Sequence, residues 1–66
     1  MGRNVWKFVR TVDGTYAVFH RGNLLAEGIP EEWREEELCV RWGFCGEECR
    51  EIIRQLDESG ECTLVL

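Results

Sequence analysis

Leu38-Cys39-Val40-Arg41-Trp42-Gly43-Phe44-Cys45-Gly46-Glu47-Glu48-Cys49 is the stretch that decides how this chain folds. Glycine just past a helix supplies the left-handed residue at C′, and an apolar residue at C″ packs back on the last turn. Gly43 and Phe44 fit those two roles. Cys45 or Gly46 then stands as the N-cap of a following helix, with Glu47 and Glu48 at the positive end of its dipole. Downstream, Cys49, Ile52, Ile53 and Leu56 fall at i, i+3, i+4 and i+7, an amphipathic stripe. Gly60 ends that helix, and Cys62-Thr63-Leu64-Val65-Leu66 reads as a terminal strand apolar enough for the interior of a sheet.

Upstream, Pro30 at a first helical position and carboxylates in the first turn predict a helix over 31–42. Glu37 and Arg41 are a favourable i,i+4 pair within it. Its apolar residues make two patches, Trp33/Val40 and Leu38/Cys39/Trp42, not one stripe. A strand over 38–42 competes with this reading; the Gly43-Phe44 ending favours the helix.

The first 27 residues read as a meander. Strands over 5–12 and 15–21 flank Asp13-Gly14, a strong two-residue hairpin signal of type I′. Such a turn sets Phe8 opposite Phe19 and Val9 opposite Val18. One face then carries Trp6, Phe8, Val12, Ala17 and Phe19, and is the expected core face. Val5, Val9, Tyr16 and Val18 lie on the other. Gly22-Asn23 is a second turn, leading to a short strand over 24–27 that adds Leu25 to the second face. The expected fold is thus α+β: one domain over 1–66, ordered β-β-β-α-α-β. A small, mostly antiparallel sheet, built from the N-terminal meander and the C-terminal strand, carries two helices on one face.

Size and charge exclude several functions. Sixty-six residues support only a marginal core, although a 44% hydrophobic composition makes one feasible and argues against disorder. The net charge of −5 opposes binding to nucleic acid or anionic membranes, and Arg3, Lys7 and Arg10 are too few to offset it. A helix-turn-helix reading fails likewise, because the second helix sets Glu47, Glu48, Glu51, Asp57 and Glu58 against Arg50 and Arg54. No apolar run is long enough to span a bilayer or form a secretory signal, so a cytoplasmic setting is expected.

The cysteines are spaced Cys39-x5-Cys45-x3-Cys49-x12-Cys62. Structural zinc sites usually carry two close pairs, and only Cys45 and Cys49 come near that spacing. Of the possible disulfides, Cys49 with Cys62 is the easiest pairing, since both sit on expected core faces. Buried free thiols are the plainer reading. Cys45, at a helix N-terminus, is the candidate reactive thiol, although Glu47 and Glu48 oppose its ionisation. His20 has no partners that would make it catalytic or a metal ligand. The acidic run 31–37 lacks the pattern of a calcium loop. No catalytic residues, metal or cofactor are expected, and the chain is not read as an enzyme.

What remains is the second hairpin face. Two short helices cover one face of a sheet, so Val5, Val9, Tyr16, Val18 and Leu25 form the candidate interaction surface, for self-association or a protein partner. A thiol or zinc protein using Cys45 and Cys49 is the alternative. The turn residues also suit a designed chain without biological function, but four cysteines and a two-patch helix argue against design.

Overall fold

The computed structural model describes residues 4–44 and 46–66. Four strands form one sheet in the order β3-β2-β1-β4: β1 is Val5–Arg10, β2 Tyr16–His20, β3 Asn23–Ile29 and β4 Glu61–Val65. Every pairing is antiparallel. A 3₁₀ turn (Glu31–Trp33) runs on towards a π turn (Glu36–Val40), and helix α1 follows at Gly46–Ser59. The α+β class and the meander-plus-terminal-strand plan hold. The first of the two expected helices is an irregular helical segment.

The β1–β2 turn differs from the expected one by a single residue, and the consequences are large. Thr11 N–H donates to the Thr15 carbonyl at 2.8 Å, and Gly14 N–H to the Thr11 carbonyl at 3.0 Å. The loop is therefore Val12-Asp13-Gly14, with only Gly14 at positive φ. This is the three-residue connection in which a tight turn is followed by a left-handed residue. The Asp13 carboxylate holds it together, accepting from the Thr11 hydroxyl, from the Thr15 hydroxyl at 2.7 Å and from Thr15 N–H at 3.1 Å. Phe8 consequently lies opposite Val18, and Val9 opposite Ala17. A one-residue slip turns every side chain of one strand to the other face.

The type I′ geometry appears instead between β2 and β3. His20 pairs with Asn23 across Arg21-Gly22, both at positive φ. The two-residue turn is thus Arg21-Gly22 where Gly22-Asn23 was expected, which moves the register by two residues and sets Leu24 opposite Phe19. Two irregularities interrupt β3, between the pairs at Tyr16 and Val18 and between those at Val18 and Phe19. β4 pairs with β1 at the sheet margin, not in its interior, because no other described strand pairs with it. Its apolar residues are spent differently: Cys62 and Leu64 face the helical layer with Phe8 and Trp6, and Val65 does not.

In the irregular segment, Pro30 is the extended residue before the first turn, not its first helical position. Arg41 N–H donates to the Glu36 carbonyl at 2.9 Å, a five-residue reach. The widened turn goes with adjacent Leu38 and Cys39 both being buried, while Trp33 and Val40, the other patch, stay exposed. The Gly43-Phe44 ending is as expected: Phe44 N–H reaches the Cys39 carbonyl at 3.0 Å and Gly43 N–H the Val40 carbonyl at 3.1 Å, with Gly43 at positive φ. Glu37 and Arg41 form their ion pair at 2.8 Å, and the Arg41 guanidinium lies 5.2 Å from the Trp42 ring centre.

The core lies between the sheet and these helices: Trp6, Phe8, Tyr16, Val18, Ile29, Leu38, Cys39, Ile52, Leu56 and Cys62, with Trp42, Phe44, Cys49 and Leu64 packed against it. Trp6 is its aromatic centre, stacked on His20 with ring centres 4.1 Å apart and edge-on to Phe44 at 5.2 Å. Each large apolar side chain fully buried here contributes about 1.5–3 kcal/mol. Trp42 Nε1 is buried without a hydrogen-bond partner among the described residues.

Candidate functional site

The side of the sheet away from the helices is uncovered by any described element. The strand pairings place Val5, Lys7, Val9, Ala17, Phe19, Leu24, Glu61, Thr63 and Val65 on it. Val5, Lys7, Val9, Phe19 and Gly22 line a shallow depression of ≈ 500 Å³. Leu24 and Val65 are exposed at its margins. Lys7 is the cation among these side chains and Glu61 the anion, two residues along and one strand across.

Two of the five expected surface residues are elsewhere. Tyr16 and Val18 are 0% exposed and belong to the core. The physical reason is the longer turn, which rotates β2 by half its side-chain period. Val5 and Val9 are half-buried on the uncovered face, and Leu25 is exposed beside the β3 irregularity. Phe19, assigned to the core from the sequence, is half-buried on the open face; Ala17 shares that side of β2 and is buried, as expected. Val12, also assigned to the core, is exposed in the turn.

Cys45, the candidate reactive thiol and N-cap, lies outside the described residues. Cys49 pairs with Cys39 as a disulfide, with a Cα–Cα distance of 5.4 Å. The expected Cys49–Cys62 pairing does not form. Cys62 lies in the sheet opposite Phe8, whereas the π turn carries Cys39, which meets Cys49 in the first turn of α1. Cys62 is a buried free thiol, its pKa pushed up first by burial and then by the charge of Glu51. Among the described residues, no three His, Cys, Asp or Glu side chains converge to hold a metal ion. His20 Nε2–H donates to Asn4 Oδ1 while the ring stacks on Trp6, a structural role.

One charged constellation had no sequence signal beyond its residue types. Arg34 Nη1 donates to Asp57 Oδ1 at 2.6 Å and to the Tyr16 hydroxyl at 3.2 Å. It ties the irregular segment to α1 and to the sheet. The Arg34 hydrogen bond holds the Asp57 carboxyl below its ordinary pKa. Beside it, Cys49, Ile53, Arg50, Arg54 and Glu35 line an open groove along α1. Arg54 is already bound to Glu51 and Glu58, so this charge is largely internally matched. Among the described residues no helix is long and apolar enough to cross a membrane. Compared with protein-family models, curated proteins and solved structures, the chain gives no match.

Proposed function

We propose that this chain is a small, non-enzymatic interaction module that associates with a protein surface through its uncovered sheet face. The observation that carries the reading is the cluster of Val5, Val9 and Phe19 around Lys7, flanked by Leu24 and Val65, with no described element over it. Exposed apolar clusters of this kind mark contact surfaces. Lys7 near its middle suits an apolar partner surface that offers one carboxylate, since a buried unpaired charge is costly. Phe19→Glu tests this. An apolar environment-sensitive dye should bind this variant less than the wild type. A wild-type protein that binds no more dye than Phe19→Glu counts against the reading.

The thiol or zinc alternative built on Cys45 and Cys49 needs Cys49 as a free thiolate, and so requires the Cys39–Cys49 pair to be reduced. A cytoplasmic setting implies that the Cys39–Cys49 pair is held there as two thiols, because cytosolic reductants keep thiols reduced. Counting thiols after rapid alkylation decides between that setting and an oxidising compartment.

A further inference from the structure

The two margins of the sheet are unlike. β3 is interrupted twice and contains Gly28 at positive φ, devices that spoil a strand edge as a template. β4 has none of them: it pairs with β1 over five consecutive residues without a shift, and contains no proline or lysine. Its hydrogen bonding shows which groups are spare. Leu66 N–H donates to the Asn4 carbonyl at 2.9 Å, and Arg10 N–H to the Gly60 carbonyl at 2.8 Å. In an antiparallel ladder the residues bonded to one neighbour recur at every second position. Cys62 and Leu64 therefore turn their backbone groups to β1, and Glu61, Thr63 and Val65 turn theirs outward. Among the described residues, one bond is made on that side, from the Ser59 hydroxyl to the Glu61 carbonyl at 3.1 Å.

We propose that β4 pairs antiparallel with β4 of a second copy of this chain, about a two-fold axis at Thr63. This register uses the whole strand and sets Thr63 against Thr63, Glu61 against Val65 and Cys62 against Leu64. Threonine pairs are favourable across strands, and like charges directly opposite are not. The other in-phase registers shorten the ladder, and the one centred on Glu61 opposes two carboxylates. Pairing makes one eight-stranded sheet with all helices on one side. It also joins the two uncovered faces. Strand spacing and rise give each face a footprint of about 300 Å², doubled to about 600 Å² in the pair. A standard interface takes about 800 Å² of accessible surface per partner, so the joined face comes much nearer to it than one copy alone. The edge pairing itself holds whatever docks on the face.

Amide hydrogen exchange of the unaltered chain at about 10 μM and about 1 mM tests the pairing directly. Thr63 N–H, spare in one copy, should exchange at least about tenfold more slowly at the higher concentration. Equal rates at the two concentrations overturn the proposal. Thr63→Pro removes an outward donor without touching a bond to β1. In sedimentation it should remain monomeric where the wild type dimerises, while Phe19→Glu still dimerises. A dimer that survives Thr63→Pro and is lost in Phe19→Glu overturns the edge contact in favour of the face. Should circular dichroism show Thr63→Pro unfolded, the exchange rates of the unaltered chain decide.

Discussion

Arg34 grips Asp57 with both terminal nitrogens, at 2.6 and 3.4 Å, across 23 residues of sequence. The same guanidinium bonds to the hydroxyl of Tyr16, whose ring is fully buried in the core. One side chain thus clasps the irregular segment, α1 and β2 together.

Arg34→Ala should lower stability by about 1 kcal/mol, chiefly through the lost bond to Tyr16. Its effect should depend on pH through Asp57. The folded pKa of Asp57 is depressed below 3.8, so its contribution is present above that value and is lost as pH falls through the folded pKa. Urea unfolding of wild type and Asp57→Asn should therefore differ at neutral pH and converge in strong acid.

Asp13 should titrate at about 2 in the folded chain, held there first by the hydroxyls of Thr11 and Thr15 and then by the Thr15 amide. Carboxyl NMR titration checks this. Thr11→Ala or Thr15→Ala should each move the midpoint up towards 3.8. The stabilisation it gives the turn is lost as pH falls from about 4 to about 2.

Breaking the Cys39–Cys49 link should cost about 2–3 kcal/mol, the loop-closure value for a separation of this length. For a domain of this size that is about 10–20 °C in Tm. Thermal unfolding with and without a phosphine reductant, repeated on the Cys39→Ala/Cys49→Ala double variant, measures it. A reductant that changes Tm in the double variant would indicate another bridge.

Arg21 occupies a left-handed position at φ 53°, where a bulky L-residue is disfavoured and asparagine is tolerated. Arg21→Asn should raise stability by about 0.5–1 kcal/mol in chemical denaturation. A loss instead would mean that the Arg21 side chain makes contacts worth more than its backbone strain.

Element order was legible because punctuation is local: Gly43-Phe44 closes one segment, Gly60 closes α1, and the Cys49, Ile52, Ile53, Leu56 stripe aims that helix. The facing of β2 was not. Tyr16/Val18 and Ala17/Phe19 are both apolar pairs, so alternation could not choose between them, and the decision passed to the turn. There the telling signal was Thr11 and Thr15 flanking Asp13, side chains able to knit a three-residue loop. Pairing of Cys39 with Cys49 was hidden for a related reason. It depends on a π turn, and no propensity scale foretells that extra residue. The surface site followed the register: Val5 and Val9 stayed, because β1 alternates as expected from Val5 to Arg10, and Phe19 replaced its neighbours.

The place of β1 in the sheet governs how the chain assembles. Its partner on one side, β2, arrives across a loop of three residues, and hairpins of that kind close in about 1–10 μs. Its partner on the other side, β4, comes from the far end of the sequence, with Val5 meeting Val65. So distant a pairing forms slowly, because the loop must close before its contacts give any return. Until β4 docks, the Val5-Trp6-Lys7-Phe8-Val9 strand is a bare edge of high β-propensity, open to other molecules in the same condition. Refolding yield should therefore fall as protein concentration rises, while the rate of the main folding phase stays constant.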